Sequence, residues 1–170
     1  AMQYIDYQLI ICGTGELLND LTALTKQLDL TKKVIFKGFV EPKELINYTR
    51  NATMGITIFE NAGLSNQYSL ANRWFDYMHA LVPQIAMNYP EYKIFNEKYP
   101  IALLLDDLSV QTISKNINLL FEDQELYRTL SQNCNRARQE NCWQKEEEKL
   151  LKLYSSIATS HSVHGLKQIV

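Results

Sequence analysis

Short apolar runs alternate along this chain with stretches in which apolar positions recur every three or four residues. Tyr7 to Cys12 (YQLIIC) is an apolar run that stops at Gly13 and predicts a buried strand. Glu16 to Leu28 carries Leu17, Leu18, Leu21, Leu24 and Leu28, the spacing of a helix. Val34 to Lys37, closed by Gly38, predicts a second strand, and Pro42 suits the first turn of a short helix over Pro42 to Thr49. Gly55 to Phe59 predicts a third strand. Leu70 to Leu81 predicts a helix with the stripe Leu70, Trp74, Tyr77, Met78 and Leu81. Gln84 to Met87 and Ile101 to Leu105 predict a fourth and a fifth strand. Three helices follow without a strand between them. Val110, Ile113, Ile117 and Leu120 mark the first; Leu126, Leu130, Cys134 and Ala137, with Asp123 as N-cap, mark the second. Trp143, Leu150, Tyr154 and Ile157 mark the third, whose charged run Lys145 to Lys149 reads as a solvated face.

This alternation implies an α/β fold: a Rossmann-like, mainly parallel sheet of about five strands, flanked by helices on right-handed crossovers. Residues 1–157 read as one domain, and 158–170, where the periodicity stops, as a flexible tail that includes His161 and His164. In such sheets ligands bind outside the carboxyl ends of the strands, so the residues just after each strand carry the candidate chemistry.

Composition narrows the field. The 170 residues are enough for one domain with a real core, and 46% hydrophobic against 21% charged residues favours folding over disorder. Lys and Arg number 17 and Asp and Glu 19, a net charge of −2, which argues against a nucleic-acid binder. No apolar run approaches a membrane span, and no signal-peptide pattern opens the chain. Cys12, Cys134 and Cys142 are an odd number, a poor disulfide framework, and match no zinc spacing. The expected location is therefore cytoplasmic, compatible with peripheral association at a membrane, and no metal site is expected.

The first strand ends at Gly13-Thr14-Gly15. Glycines there permit a tight start of the following helix and leave backbone N–H groups for an anion, or simply make a turn. The third glycine of a dinucleotide fingerprint is replaced by Leu18, so a dehydrogenase is a poor reading. The second strand ends at Gly38-Phe39-Val40, where Phe39 either stacks on a flat base or packs into the core. The third end is the richest, running Glu60-Asn61-Ala62-Gly63-Leu64-Ser65 ahead of a helix whose Asn72, Asp76 and His79 lie away from the Trp74/Met78 stripe. Ionised Glu60 and Asp76 can accept hydrogen bonds from sugar hydroxyls, and the 64–70 stretch can offer N–H groups to a phosphate; alternatively both acids are ordinary surface charges. Arg73 is a candidate to reach a phosphate, against which stands its position toward the apolar flank of the helix. His79 has no Ser or Cys nucleophile motif beside it.

These pieces in this order, LIICGTGELLNDL, VIFKGFVEPKEL, the Glu60 loop with ENAGLS, NRWFDYMHALVP and the closing helix, resemble the C-terminal half of a GT-B glycosyltransferase of family 4, the group 1 type. The family signature is a Glu, seven residues, a second Glu, then a small-residue helix and Pro. Glu60 matches the first acid and Asp76 the second at a longer spacing, with Pro83 as the closing Pro. The sequence departs from the pattern in having Asp for Glu, Arg73 for a Lys of one branch, and Leu81 where a glycine usually precedes Pro83.

The resemblance implies a retaining transfer of a sugar from a nucleotide-sugar to an acceptor hydroxyl, with the donor as substrate and no cofactor. It assigns Glu60 to the donor sugar as the catalytic residue and Asp76 to the ribose. Phe39 and Val40 fall to the base, and Gly63 and Leu64 to the pyrophosphate or sugar through backbone N–H. Gly13, Gly15, Ser65, Asn72 and Arg73 complete the donor set. The family's N-terminal acceptor-binding domain has no counterpart here, so the chain is expected to be incomplete for catalysis and that half to be supplied elsewhere, as a separate chain for instance. The alternatives are a non-catalytic nucleotide-sugar-binding subunit, or a relic that folds and binds nothing. The family's central strand also has no counterpart, which implies either a gap between the Tyr7 and Gly55 strands or their direct pairing.

Overall fold

The computed structural model describes residues 1–162. The element order is β1 (Leu9–Cys12), α1 (Leu18–Gln27), β2 (Val34–Gly38), α2 (Pro42–Asn51), β3 (Gly55–Thr57), α3 (Leu64–Gln67), α4 (Asn72–Ala80), β4 (Gln84–Met87), α5 (Pro90–Lys98), β5 (Ala102–Leu105), α6 (Val110–Glu122), α7 (Gln124–Glu140) and α8 (Trp143–Ser162). All the strand pairings are parallel.

The strands form two sheets rather than one: β1 pairs with β2, and β3-β4-β5 form a second sheet. β1 and β3 do not pair, so the alternative of a gap is the one realised. Side chains bridge it. Ile5, ahead of β1, is buried with Ile85, Met87, Leu105 and Ile117 of the larger sheet and α6, and Tyr7 stacks on Phe121 with ring centroids 3.6 Å apart.

The larger sheet is buried on both faces, as parallel sheets require. Every residue of β4 is buried. One face packs on α6 and the 2–7 segment; the other packs under α4 and α5, with Trp74, Met78, Ala86, Tyr92, Ile101, Cys134 and Ala137 at its centre. A buried polar chain runs beneath α4: Thr57 Oγ1 donates to Gln84 Oε1 at 2.8 Å, and Gln84 Nε2 donates to the Trp74 carbonyl at 3.1 Å. The smaller sheet is covered less well. The leucines of α1 stay partly exposed, and Leu9, Ile11, Leu21, Leu24, Leu28 and Phe36 line an open groove of about 240 Å³.

The helix ends follow local chemistry. Asp123 caps α7 as its sequence position predicts, its carboxylate accepting from the Leu126 N–H at 2.9 Å. Ser109 caps α6 through the Thr112 N–H. Helix α4 closes on Leu81, left-handed at φ 63°, with Leu81 packed against the α4/α5 core. Three elements go beyond the sequence reading: a 3-10 turn over Met2–Tyr4, the short α3, and α5, which starts at Pro90 and buries Tyr92. Helix α8 continues to Ser162 and leaves Trp143, Leu150 and Tyr154 exposed, so the predicted stripe is not buried within the described chain. The remainder of the predicted tail, 163–170, lies outside the described residues.

Candidate functional site

The carboxyl ends of β1 and β2 are tied together. The Gly13 N–H donates to the Gly38 carbonyl at 2.7 Å. The amide is thereby occupied, which corrects the expectation that Gly13 keeps its N–H for an anion. Gly13 and Gly38 have φ of 141° and 66°, and nothing lies within 4 Å of where a β-carbon would stand on either. Glycine is therefore required by backbone angle at Gly38, not by crowding. Gly15 accepts from the Leu18 N–H at 3.1 Å and so starts α1.

Phe39 follows Gly38 with 70% of its surface exposed, while Val40 is half-buried. The core-packing alternative for Phe39 is thus excluded, and its ring is presented to solvent beside the β1–α1 turn.

The stretch after β3 is built around Phe59 and Glu60. The Tyr89 hydroxyl donates to the Phe59 carbonyl at 2.8 Å, and the Arg73 guanidinium stands 4.7 Å from the centre of the Phe59 ring. Arg73 is thus brought from α4 to the residue preceding Glu60. Glu60 itself is exposed; its carbonyl accepts from Asn66 Nδ2 at 3.0 Å. Gln67 donates to Asn61, and the Ser69 hydroxyl to the Ser65 carbonyl. Gly63, Leu64 and Ser65 are exposed at the start of α3.

Helix α4 presents Asn72, Arg73, Asp76 and His79 to the exterior, while Trp74 and Met78 are fully buried. Partial burial pushes the Asp76 carboxyl above its ordinary value, with the nearby His79 opposing. The Tyr77 ring lies against Gly55 at the start of β3. Burial pushes its phenol up; the Ile56 backbone and Arg73 oppose the rise, and Asp76 and Cys12 add to it.

Sequence reading placed Glu60, Arg73 and Asp76 on the right elements but overlooked Tyr77, Tyr89 and Tyr92 as parts of the surroundings. The Tyr92 hydroxyl accepts from the Ala71 N–H at 3.0 Å, at the start of α4. Pro90 followed by Tyr92, Phe95 and Tyr99 at helical spacing was the available signal for α5. Among the described residues no cluster of three His, Cys, Asp or Glu is placed to hold a metal, and no helix is long and apolar enough to cross a membrane.

A sequence profile described as "Glycosyl transferases group 1" matches residues 1–137. The chain belongs to that family. Its fold agrees with several solved structures. Sucrose-phosphate synthase from Thermosynechococcus elongatus superposes with a TM-score of 0.69 at 18% identity, over 90% of this chain and 39% of that one. The C-terminal domain of a glycosyl transferase group 1 family protein, LpcC, from Francisella tularensis gives 0.65 at 20% identity, over 80% of this chain and 70% of that one. HepE from Anabaena, in complex with UDP and glucose, gives 0.73 at 18% identity, over 88% of this chain and 40% of that one. The chain thus spans about 40% of the length of the synthase and of HepE. No curated protein sequence matches it. The family membership accounts for the Rossmann-like architecture, and these superpositions agree with a GT-B C-terminal half.

Proposed function

We propose that this chain is the donor-binding half of a retaining glycosyltransferase that takes a nucleotide-sugar. The observation that carries the reading is the placement of Arg73 over Phe59, the residue before Glu60, at the carboxyl end of a parallel sheet, in a chain of the group 1 family. Ligands in open α/β sheets sit at that edge. That HepE was solved with UDP and glucose supports a nucleoside diphosphate and a hexose as the first ligands to try.

In this reading Phe39 stacks on the base with Val40 beside it, and Asp76 accepts hydrogen bonds from the ribose hydroxyls. Glu60 accepts from hydroxyls of the donor sugar. The N–H groups near Gly63, Leu64 and Ser65, with Arg73, face the diphosphate; Asn72 and the Gly13–Gly15 turn border it. In the transfer, a bond forms between the acceptor oxygen and the anomeric carbon while the bond from that carbon to the phosphate oxygen breaks. The diphosphate leaves with the electron pair, and the hydroxyl proton is released. Fixed positive groups around the leaving diphosphate lower the barrier without a cofactor. The acceptor needs a second wall, and holding two reactants in place accounts for roughly 7–11 kcal/mol of a barrier. That wall comes from outside these residues, in the same polypeptide or a separate chain.

The test is a thermal-shift panel of UDP, GDP and ADP with their hexose adducts, on the parent and on Asp76→Asn. At about ten times its dissociation constant a ligand stabilises by about 1.4 kcal/mol, which raises the midpoint by about 3–6 °C in a chain of this size. One nucleotide should do so in the parent and far less in Asp76→Asn. No shift with any member of the panel would sink the reading.

A further inference from the structure

The stretch between β3 and α4 carries Glu60, Gly63, Leu64 and Ser65, yet the bonds inside it join it only to itself: Asn66 to Glu60, Gln67 to Asn61, Ser69 to Ser65. Beside the Arg73–Phe59 contact, two tyrosine hydroxyls at the start of α5 reach its ends. At one end the Tyr89 hydroxyl donates to the Phe59 carbonyl at 2.8 Å. At the other the Ala71 N–H donates to the Tyr92 hydroxyl at 3.0 Å, serving a helix start that has no side-chain cap of its own.

We infer that Tyr89 and Tyr92 are positioning residues, which pin the two ends of the 59–71 segment and so fix where Glu60 and the 63–65 backbone stand. The inference deepens the donor-site reading and rests on it for the ligand. The two hydroxyls sit on a stiff support. Tyr92 is fully buried, with its ring edge-on to Trp74 at 5.0 Å, and Tyr89 packs against both core clusters just ahead of Pro90. Helix α5 is in turn strapped to the start of β5: Asn96 Oδ1 accepts from the Ile101 and Ala102 N–H groups at 2.9 and 3.0 Å, and Asn96 Nδ2 donates to the Ala102 carbonyl at 3.1 Å. A segment held at both ends by a rigid element keeps its functional groups in register, which is how loops come to carry chemistry. The next tyrosine along, Tyr99, donates its hydroxyl to Glu140 of α7 and not to the segment.

Tyr89→Phe and Tyr92→Phe each keep the ring and remove one hydroxyl; Tyr99→Phe is the control. In hydrogen–deuterium exchange of the full chain, amides within 60–70 should exchange about 3–10-fold faster in the first two variants. Protection of β4 and α7 should be unchanged, and Tyr99→Phe should leave the segment as it was. The second readout is affinity, measured with whichever of UDP, GDP or ADP stabilises the parent. Tyr89→Phe should weaken the nucleotide-sugar, which meets both Glu60 and the 63–65 backbone, and the free diphosphate, which meets that backbone, each about 3–10-fold, while Tyr99→Phe leaves both within about two-fold. A general loosening would weaken binding in Tyr99→Phe as well, and that result would overturn the positioning role. Unchanged exchange in both variants overturns the clamp itself. Faster exchange in variants of a parent that binds none of the three nucleotides upholds the clamp and overturns the donor-site reading.

Discussion

The Tyr77 ring lies against the backbone of Gly55. A β-carbon built on Gly55 would stand 2.4 Å from Tyr77 Cδ2 and Cγ and 2.7 Å from Cδ1, distances that real β-carbons do not show. Gly55 opens β3 and is buried, so the strand can lie under α4 only because this residue has no side chain. Gly55→Ala should therefore destabilise the protein by about 1–3 kcal/mol, the usual cost of overpacking. Adding Tyr77→Ala should remove much of that penalty, leaving a coupling free energy well above zero. Urea denaturation of the two single variants and the double variant measures it; additive losses would mean that the ring moves aside freely.

Asp76 makes a prediction about pH. Its carboxyl is held above the ordinary value of 3.8, first by partial burial, with His79 opposing. A carboxyl whose pKa is higher in the folded than in the unfolded protein binds its proton more readily when folded. Its contribution is then fully present below 3.8 and is lost as pH rises through the folded value. Asp76→Asn, neutral throughout, should be more stable than the parent at about pH 7, and the difference should close by about pH 3.5. Melting midpoints across this range check it. A gap that is constant with pH would mean that the carboxyl is not perturbed in the folded chain. Greater stability together with lost nucleotide binding is the pattern of a residue kept for its ligand.

Arg73 is held by a ring rather than by an acid. Its guanidinium stacks over Phe59, and among the described residues no carboxylate forms an ion pair with it. Its charge is thus available to an anion. Arg73→Ala should weaken nucleoside diphosphate binding about ten-fold or more, yet change stability by less than about 1 kcal/mol. The parent's affinity should fall more steeply with salt than the variant's, because screening acts on the charge that the variant lacks. Calorimetric titrations at two ionic strengths provide the comparison; equal salt slopes would remove Arg73 from the diphosphate.

Leu81 stands in the left-handed region at φ 63°, where the family resemblance places a glycine. For a residue with a β-carbon that conformation costs roughly 1–2 kcal/mol. The Leu81 side chain packs against the α4/α5 core, and this partial burial offsets the strain. Leu81→Gly relieves one and forfeits the other, so its net effect should lie within about 1 kcal/mol of zero. Leu81→Ala keeps the strain and loses the packing, and should be the less stable of the two by denaturant midpoint.

Much of this was legible in the sequence, for physical reasons. β4 is buried on both sides, and its Ile85, Ala86 and Met87 read as an apolar run, while Trp74 and Met78 are one helical turn apart and share the core face. Asp123 announces its helix because an N-cap is local chemistry. Helix α5 escaped because its polar residues outnumber the few that it buries. The division of the strands into two sheets escaped a periodicity reading because pairing is a long-range property; only the resemblance raised it. The neighbours of the site were missed for the same reason. Nothing in the run Asn88-Tyr89-Pro90 tells that the Tyr89 hydroxyl ends on a carbonyl thirty residues earlier.

The interruption between β1 and β3 bears on what occupancy of the site would mean mechanically. In a continuous sheet the backbone ladder passes a load from one edge to the other. Here the ladder stops, and side chains such as Ile5 and Tyr7 carry it across. A nucleotide reaching from Phe39, beyond β2, to Asp76, on α4, would span that break. It would serve as a brace between two bodies that otherwise only lean on one another, so that filling the site and stiffening the domain become a single event.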